Sequence, residues 1–201
     1  MCGITAYAGP GSAAVRARVA LERLEYRGYD SAGIAARASD GIVSHARTLD
    51  GVAALAAALP EETRDATGSA IGHTRWATHG GVSQRNAHPI VDCTGELFVV
   101  HNGIVENADL LRAQLIAAGH RFSTDVDSEV VVHLLEDALA ARAPRERDLV
   151  GALGEAVAPL EGSWAVVALD ARTGALAGTA HRSPLVRSEE HTSELQSRRD
   201  L

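Results

Sequence analysis

Cys2-Gly3-Ile4-Thr5-Ala6-Tyr7-Ala8 is a short apolar run that starts almost at the terminus and stops at the glycine-rich turn Gly9-Pro10-Gly11. A run bounded this way reads as a β-strand. It decides the fold because it puts a cysteine at the head of a strand and sends the chain directly into a helix. Ser12 is placed to cap that helix, Val15, Val19, Leu21 and Leu24 follow at helical spacing, and Gly28 ends it. Further on, 31–38 and 42–47 flank Asp40-Gly41, a hairpin turn pair. The alanine-rich stretch 52–59 reads as a helix stopped by Pro60. Stretches 70–74 and 97–101 read as buried strands on either side of a polar loop, 75–86. Three helices follow at 108–118 (between Asn107 and Gly119), 128–141 and 149–157. A second hairpin, 163–170 with 175–180, turns at Thr173-Gly174. This order does not alternate strand with helix, so it calls for antiparallel sheets covered by helices.

The chain has 201 residues, 46% of them hydrophobic and 22% charged, enough for a packed core in one domain. With 19 basic and 26 acidic residues the net charge is -7, and aromatics are only 3%, which argues against nucleic-acid binding. No apolar run approaches the roughly 18 residues needed to span a bilayer. The N-terminal residues show no basic segment followed by an apolar stretch, so a cytoplasmic, reducing setting without a disulfide framework is expected for the two cysteines. The final stretch, 187–201 (RSEEHTSELQSRRDL), has Leu195 and Leu201 as its only apolar residues. It resembles the in-frame translation of a sequencing adapter. The expected division is therefore a domain over 1–186 and a non-native tail over 187–201.

Four features could carry chemistry. Cys2 follows the initiator methionine, which is commonly removed before a small residue. Removal would leave a thiol and a free α-amino group on one residue. With an ordinary pKa of about 7.7–8.0 the amine is partly unprotonated near neutrality, so it can act as base for the thiol. The ordinary alternative is a small buried residue starting a strand. Cys93, the other cysteine, is expected to be replaceable, because nothing around it in the sequence supplies a base. The second feature is the loop His73-Thr74-Arg75-Trp76-Ala77-Thr78-His79-Gly80-Gly81, in which Arg75 offers a planar fork for a carboxylate. His73, His79, His88 and His101 lack the spacing of a metal-ligand motif, so no metal is expected there. Third, His101-Asn102-Gly103 stands at a strand exit, where the Asn102 amide and the Gly103 N–H suit an oxyanion hole. A tight Asn-Gly turn is the competing reading. Fourth, Asp127, in Asp125-Val126-Asp127-Ser128-Glu129, either caps the next helix or pairs with an ammonium group. A decoy is Gly9-Pro10-Gly11-Ser12-Ala13-Ala14 with Asp30 further on, which nominally fits a dinucleotide fingerprint but leads into a hairpin instead of a βαβ unit.

Met1-Cys2-Gly3-Ile4, Leu24-Glu25-Tyr26-Arg27-Gly28-Tyr29-Asp30-Ser31-Ala32-Gly33, the 73–80 loop, Asn86-Ala87-His88-Pro89 and His101-Asn102-Gly103-Ile104-Val105-Glu106-Asn107 occur together and in order. In these the chain resembles the N-terminal glutaminase domain of the isomerising glutamine–fructose-6-phosphate aminotransferase family, from Cys2 to about Val186. Other class II glutamine amidotransferases, of the phosphoribosylpyrophosphate or asparagine-forming type, share the Met-Cys-Gly-Ile start and are the alternative. The resemblance implies an N-terminal-nucleophile hydrolase fold, a four-layer α/β/β/α sandwich, here incomplete at its C-terminal end and with exposed sheet edges. It implies L-glutamine as substrate and no cofactor. Cys2 would be the nucleophile, and Asn102 and Gly103 would hold the oxyanion. Arg75 would take the α-carboxylate and Asp127 the α-ammonium. Trp76, Thr78 and His79 would complete the pocket, and Arg27 and Asp30 would brace it. In the family a sugar-phosphate isomerase domain follows, and the full-length proteins are expected to be homo-oligomers. The ammonia released serves glucosamine-6-phosphate synthesis there.

Overall fold

Strands that are apolar on both faces need a layer on each side, and alternate residues then serve different cores. The computed structural model, which describes residues 2–60, 67–76, 81–143 and 147–188, is built that way. Its elements run β1 (Gly3–Gly9), α1 (Ala13–Glu22), β2 (Ser31–Ala38), β3 (Val43–Thr48), α2 (Leu55–Ala58), β4 (Gly68–Arg75), β5 (Ile90–Val91), β6 (Leu97–Val105), α3 (Ala108–Ala118), α4 (Glu129–Ala140), α5 (Leu149–Val157), β7 (Gly162–Asp170) and β8 (Leu176–His181). One four-stranded sheet has the order β1-β4-β2-β3 and the other β5-β6-β7-β8. Every pairing between described strands is antiparallel. The expected antiparallel arrangement is therefore present, and the parallel βαβ unit required by the dinucleotide fingerprint is absent among the described residues.

Three apolar clusters define the layers. Ile34 and Ala36 of β2 and Ala70 of β4 pack with Ala13, Ala14, Ala17 and Leu21 of α1. Their neighbours Ala35 and Ile71 face the other way and meet Phe98 and Val100 of β6 and Val167 and Leu169 of β7, between the sheets. Val99 of β6 and Val166 and Ala168 of β7 lie under α3, α4 and α5. The order is helix, sheet, sheet, helix, the four-layer sandwich that the resemblance implies.

Local differences have local causes. Ser12 caps α1 as expected, accepting from the Val15 N–H at 3.2 Å. The buried face of α1, however, is formed by alanines and Leu21, while Val19 is exposed. Small side chains let the helix lie close to the sheet, where Gly72 faces Leu21. The helix expected over 52–59 is a 3-10 turn (Val52–Ala54) followed by one α turn. Strand β6 runs to Val105, well past the expected exit near Val100, because it pairs with β7 along its whole length. Of the tail, residues 189–201 lie outside the described residues.

Candidate active site

Register places the first residues of the site. Gly3 of β1 pairs with Thr74 of β4, so Cys2 comes beside Arg75 and Trp76 where β4 ends. The Cys2 Sγ accepts a hydrogen bond from the Trp76 N–H at 3.3 Å and lies 3.6 Å from the Trp76 carbonyl oxygen. On the other side of β4, Ser31 pairs with Arg75, and the Asp30 N–H donates to the Arg75 carbonyl at 3.1 Å. Gly28 packs here because a Cβ would come within 2.7 Å of the Arg75 carbonyl carbon. The Tyr29 ring meets Trp76 edge-on at 5.2 Å. The Tyr-Arg-Gly-Tyr-Asp segment thus braces the end of β4 against which the cysteine lies.

The second sheet supplies the opposite wall. His101-Asn102-Gly103, expected at a strand exit, lies inside β6. That removes the tight-turn reading. The Asn102 Nδ2 donates to the Cys2 carbonyl at 3.2 Å, and its Oδ1 lies 2.9 Å from His73 Nε2. The same His73 nitrogen is 3.0 Å from the His101 carbonyl oxygen, which can only accept, so Nε2 carries the proton. That proton fixes the Asn102 amide with its oxygen towards His73 and its NH2 towards Cys2. Sequence reasoning singled out His73 as a loop histidine but missed this positioning role, which depends on two sheets meeting. Gly103 has φ 122°, and a Cβ there would fall 2.0 Å from the Ser163 carbonyl oxygen, so only glycine fits.

Asp127 precedes α4 but does not cap it. Its Oδ2 accepts from the Val105 N–H at 2.9 Å and its Oδ1 from the Ser128 hydroxyl at 3.4 Å. Cys2, Arg75, Trp76, His101, Gly103 and Asp127 line one cleft. Thr78 and His79 lie outside the described residues.

Electrostatics divide the cleft. Arg75 is buried, with one guanidinium N–H donating to the Gly81 carbonyl at 3.3 Å. Burial pulls its pKa below the ordinary arginine value, against the nearby Cys2, Asp127 and Asp30. Burial also pushes His73 down to about 3 and His88 and His101 below the ordinary histidine value. These imidazoles are neutral, so Arg75 is the cation opposite Asp127.

Two further groupings were not foreseen. Glu129, fully buried, accepts from the backbone N–H and hydroxyl of both Ser123 and Thr124 at 2.6–3.0 Å, fixing the turn that leads to Asp127. Cys93, expected to have no base nearby, has His120 Nδ1 at 3.6 Å and His133 Nδ1 at 3.7 Å from its sulfur. That expectation is corrected: Cys93 is 27 residues from one histidine and 40 from the other, and the second sheet and its helices bring them together.

The glutamine amidotransferase domain family matches residues 73–191. The chain is 45% identical over 188 residues to the isomerising glutamine–fructose-6-phosphate aminotransferase of Tropheryma whipplei, covering 92% of this chain and 30% of that protein. It is 44% identical over 187 residues to the protein of the same name from Streptomyces coelicolor, again covering 92% and 30%. The chain thus spans about a third of the length of these relatives. Among solved structures, the glutamine phosphoribosylpyrophosphate amidotransferase from B. subtilis aligns with a TM-score of 0.67 at 24% identity, over 85% of this chain and 35% of that one, a likeness of fold. The family match takes in more than half of the sequence, and the chain belongs to the glutamine amidotransferase domain family.

Proposed function

We propose that this chain hydrolyses the side-chain amide of L-glutamine, with Cys2 as the nucleophile once Met1 is removed. The observation that carries the reading is the meeting of Cys2 with Arg75, Asp127 and the Asn102 amide around one cleft. Arg75 binds the α-carboxylate and Asp127 the α-ammonium. These two charges cannot distinguish glutamine from glutamate, because the amino acids differ only at the far end. They position the amide carbon over the sulfur. The Cys2 amine takes the thiol proton as sulfur attacks, and the carbonyl oxygen becomes an oxyanion held by Asn102 Nδ2 and the Gly103 N–H. The amine returns the proton to the leaving nitrogen, the C–N bond breaks and ammonia departs. Water then adds to the glutamyl thioester, giving glutamate and the free thiol.

The name shared by the relatives supports a wider role for a longer protein containing this domain. There the ammonia would be used, in a sugar-phosphate isomerase domain, to convert fructose-6-phosphate to glucosamine-6-phosphate. Glutamate release from glutamine tests the local reading. Activity should disappear in Cys2→Ser and after thiol alkylation, and activity surviving Cys2→Ser would refute the mechanism.

A further inference from the structure

Cys93 lies in the turn between β5 and β6, His120 just beyond the end of α3, and His133 and Glu136 on α4. One ligand atom from each, the Cys93 Sγ, the two Nδ1 atoms and a Glu136 oxygen, lies within 4.8 Å of all the others. We propose that these four residues form a structural site for a tetrahedral divalent metal, zinc by the chemistry of its donors.

Four of the six edges of this cluster match a zinc tetrahedron. Zinc bonds of about 2.3 Å to sulfur and about 2.0–2.2 Å to nitrogen or oxygen give tetrahedral edges of about 3.6 Å for sulfur–nitrogen and about 3.3 Å for nitrogen–oxygen. The sulfur–nitrogen separations are 3.6 and 3.7 Å, to His120 and His133. The nitrogen–oxygen separations to Glu136 Oε2 are 3.1 and 3.0 Å. One thiolate, two imidazoles and one carboxylate form a closed set of four donors, each of a type that binds zinc.

Hydrogen positions point the same way. The far nitrogen of each ring also faces a carboxylate: His120 Nε2 lies 2.9 Å from Asp137 Oδ1, and His133 Nε2 3.8 Å from Glu129 Oε1. A metal at the Nδ1 atoms leaves each ring its single N–H at Nε2, which donates to Asp137 and points towards Glu129 in the carboxylate–histidine–metal arrangement. The two rings lie 4.8 Å apart, and the His133 side chain is buried. The Arg121 N–H, 3.5 Å from Cys93 Sγ, donates to the sulfur. On binding, the Cys93 thiol proton leaves to solvent and the sulfur coordinates as thiolate.

The metal would join the β5–β6 turn to α4. The first leads into β6, which carries Asn102 and Gly103, and the second begins just after Asp127. The test uses the 201-residue chain as Cys2→Ser, which leaves Cys93 as the only thiol. After chelation and titration with cobalt(II), one equivalent should give tetrahedral visible bands and a sulfur-to-cobalt charge-transfer band, both abolished by zinc. The double variant with Cys93→Ser should lose the charge-transfer band. Asp137→Asn should weaken affinity about 10–100-fold. Protein purified from zinc-supplied cells should carry about one zinc, and chelation should lower its melting temperature. Cys2→Ser protein with a folded far-ultraviolet spectrum but no charge-transfer band, or a band that survives Cys93→Ser, would overturn the site.

Discussion

Arg75 shows how much a single side chain is asked to do. It is buried beside the cysteine, and part of its fork is already committed to the Gly81 carbonyl. A guanidinium fork suits a planar carboxylate, and a charge-assisted bond of this kind contributes about 1.5–3 kcal/mol. Arg75→Lys should therefore raise the KM for glutamine about ten- to a hundredfold, since an ammonium cannot reproduce the fork. Steady-state glutamate release checks this, and an unchanged KM would remove Arg75 from the clamp. The sequence singled out Cys2, Arg75, Asn102, Gly103 and Asp127, each in a short motif with a chemical reason, and the structure brings them together. His73 as the holder of Asn102 was not legible there, since a histidine in β4 touches β6 only after the two sheets stack.

Among the elements, β6 differs most from its sequence reading. Periodicity gives out at His101, where the residues turn polar, and so predicts the end of the strand there. Pairing with β7 carries it on to Val105 and holds the polar residues at the cleft. Gly103 is what makes the close approach possible. Gly103→Ala should cost about 1–3 kcal/mol through backbone strain alone, with more from the clash against Ser163. Chemical unfolding measures it, and a loss under 0.5 kcal/mol, about the scatter of an ordinary surface change, would mean the strand relaxes freely. Helix α1 teaches a related lesson: its valines marked a helical period, but the sheet selected the alanine face. The two-residue strand β5 was too short to announce itself.

Across the whole molecule, the burial that stacks two sheets also withholds protons from several side chains. Burial holds His73 at about 3 and His45 at about 4, against an ordinary 6.5. Below pH 6.5 the unfolded chain takes up protons that the folded chain refuses, so stability is full above that pH and falls as pH drops. Each such imidazole contributes up to about 1.4 kcal/mol per pH unit. Glu129 is also buried, but the nearby His133 and the hydrogen bonds from Ser123 and Thr124 outweigh the burial and hold it at about 2, below the ordinary 4.5. Its contribution is present above pH 4.5 and is lost as pH falls towards 2. Unfolding free energy measured from pH 7 to pH 4 should decline steadily from about 6.5 downward, and a flat profile would contradict the neutral buried histidines. Antiparallel sheets covered by helices were legible because the elements do not alternate strand with helix, whereas the four-layer order followed from the family resemblance. The Cys93 cluster was not legible, because its members come from three separate segments of the chain.

The central claim, a mature Cys2 that attacks a glutamine amide, is tested most directly by covalent trapping. The intact chain is incubated with a glutamine analogue whose side-chain amide is replaced by an electrophilic ketone, and its mass and peptide map are recorded with and without competing glutamine. The account predicts a chain lacking Met1, with one adduct on Cys2 and protection by glutamine. An adduct on Cys93, labelling that glutamine does not slow, or a labelled chain that retains Met1 would contradict it.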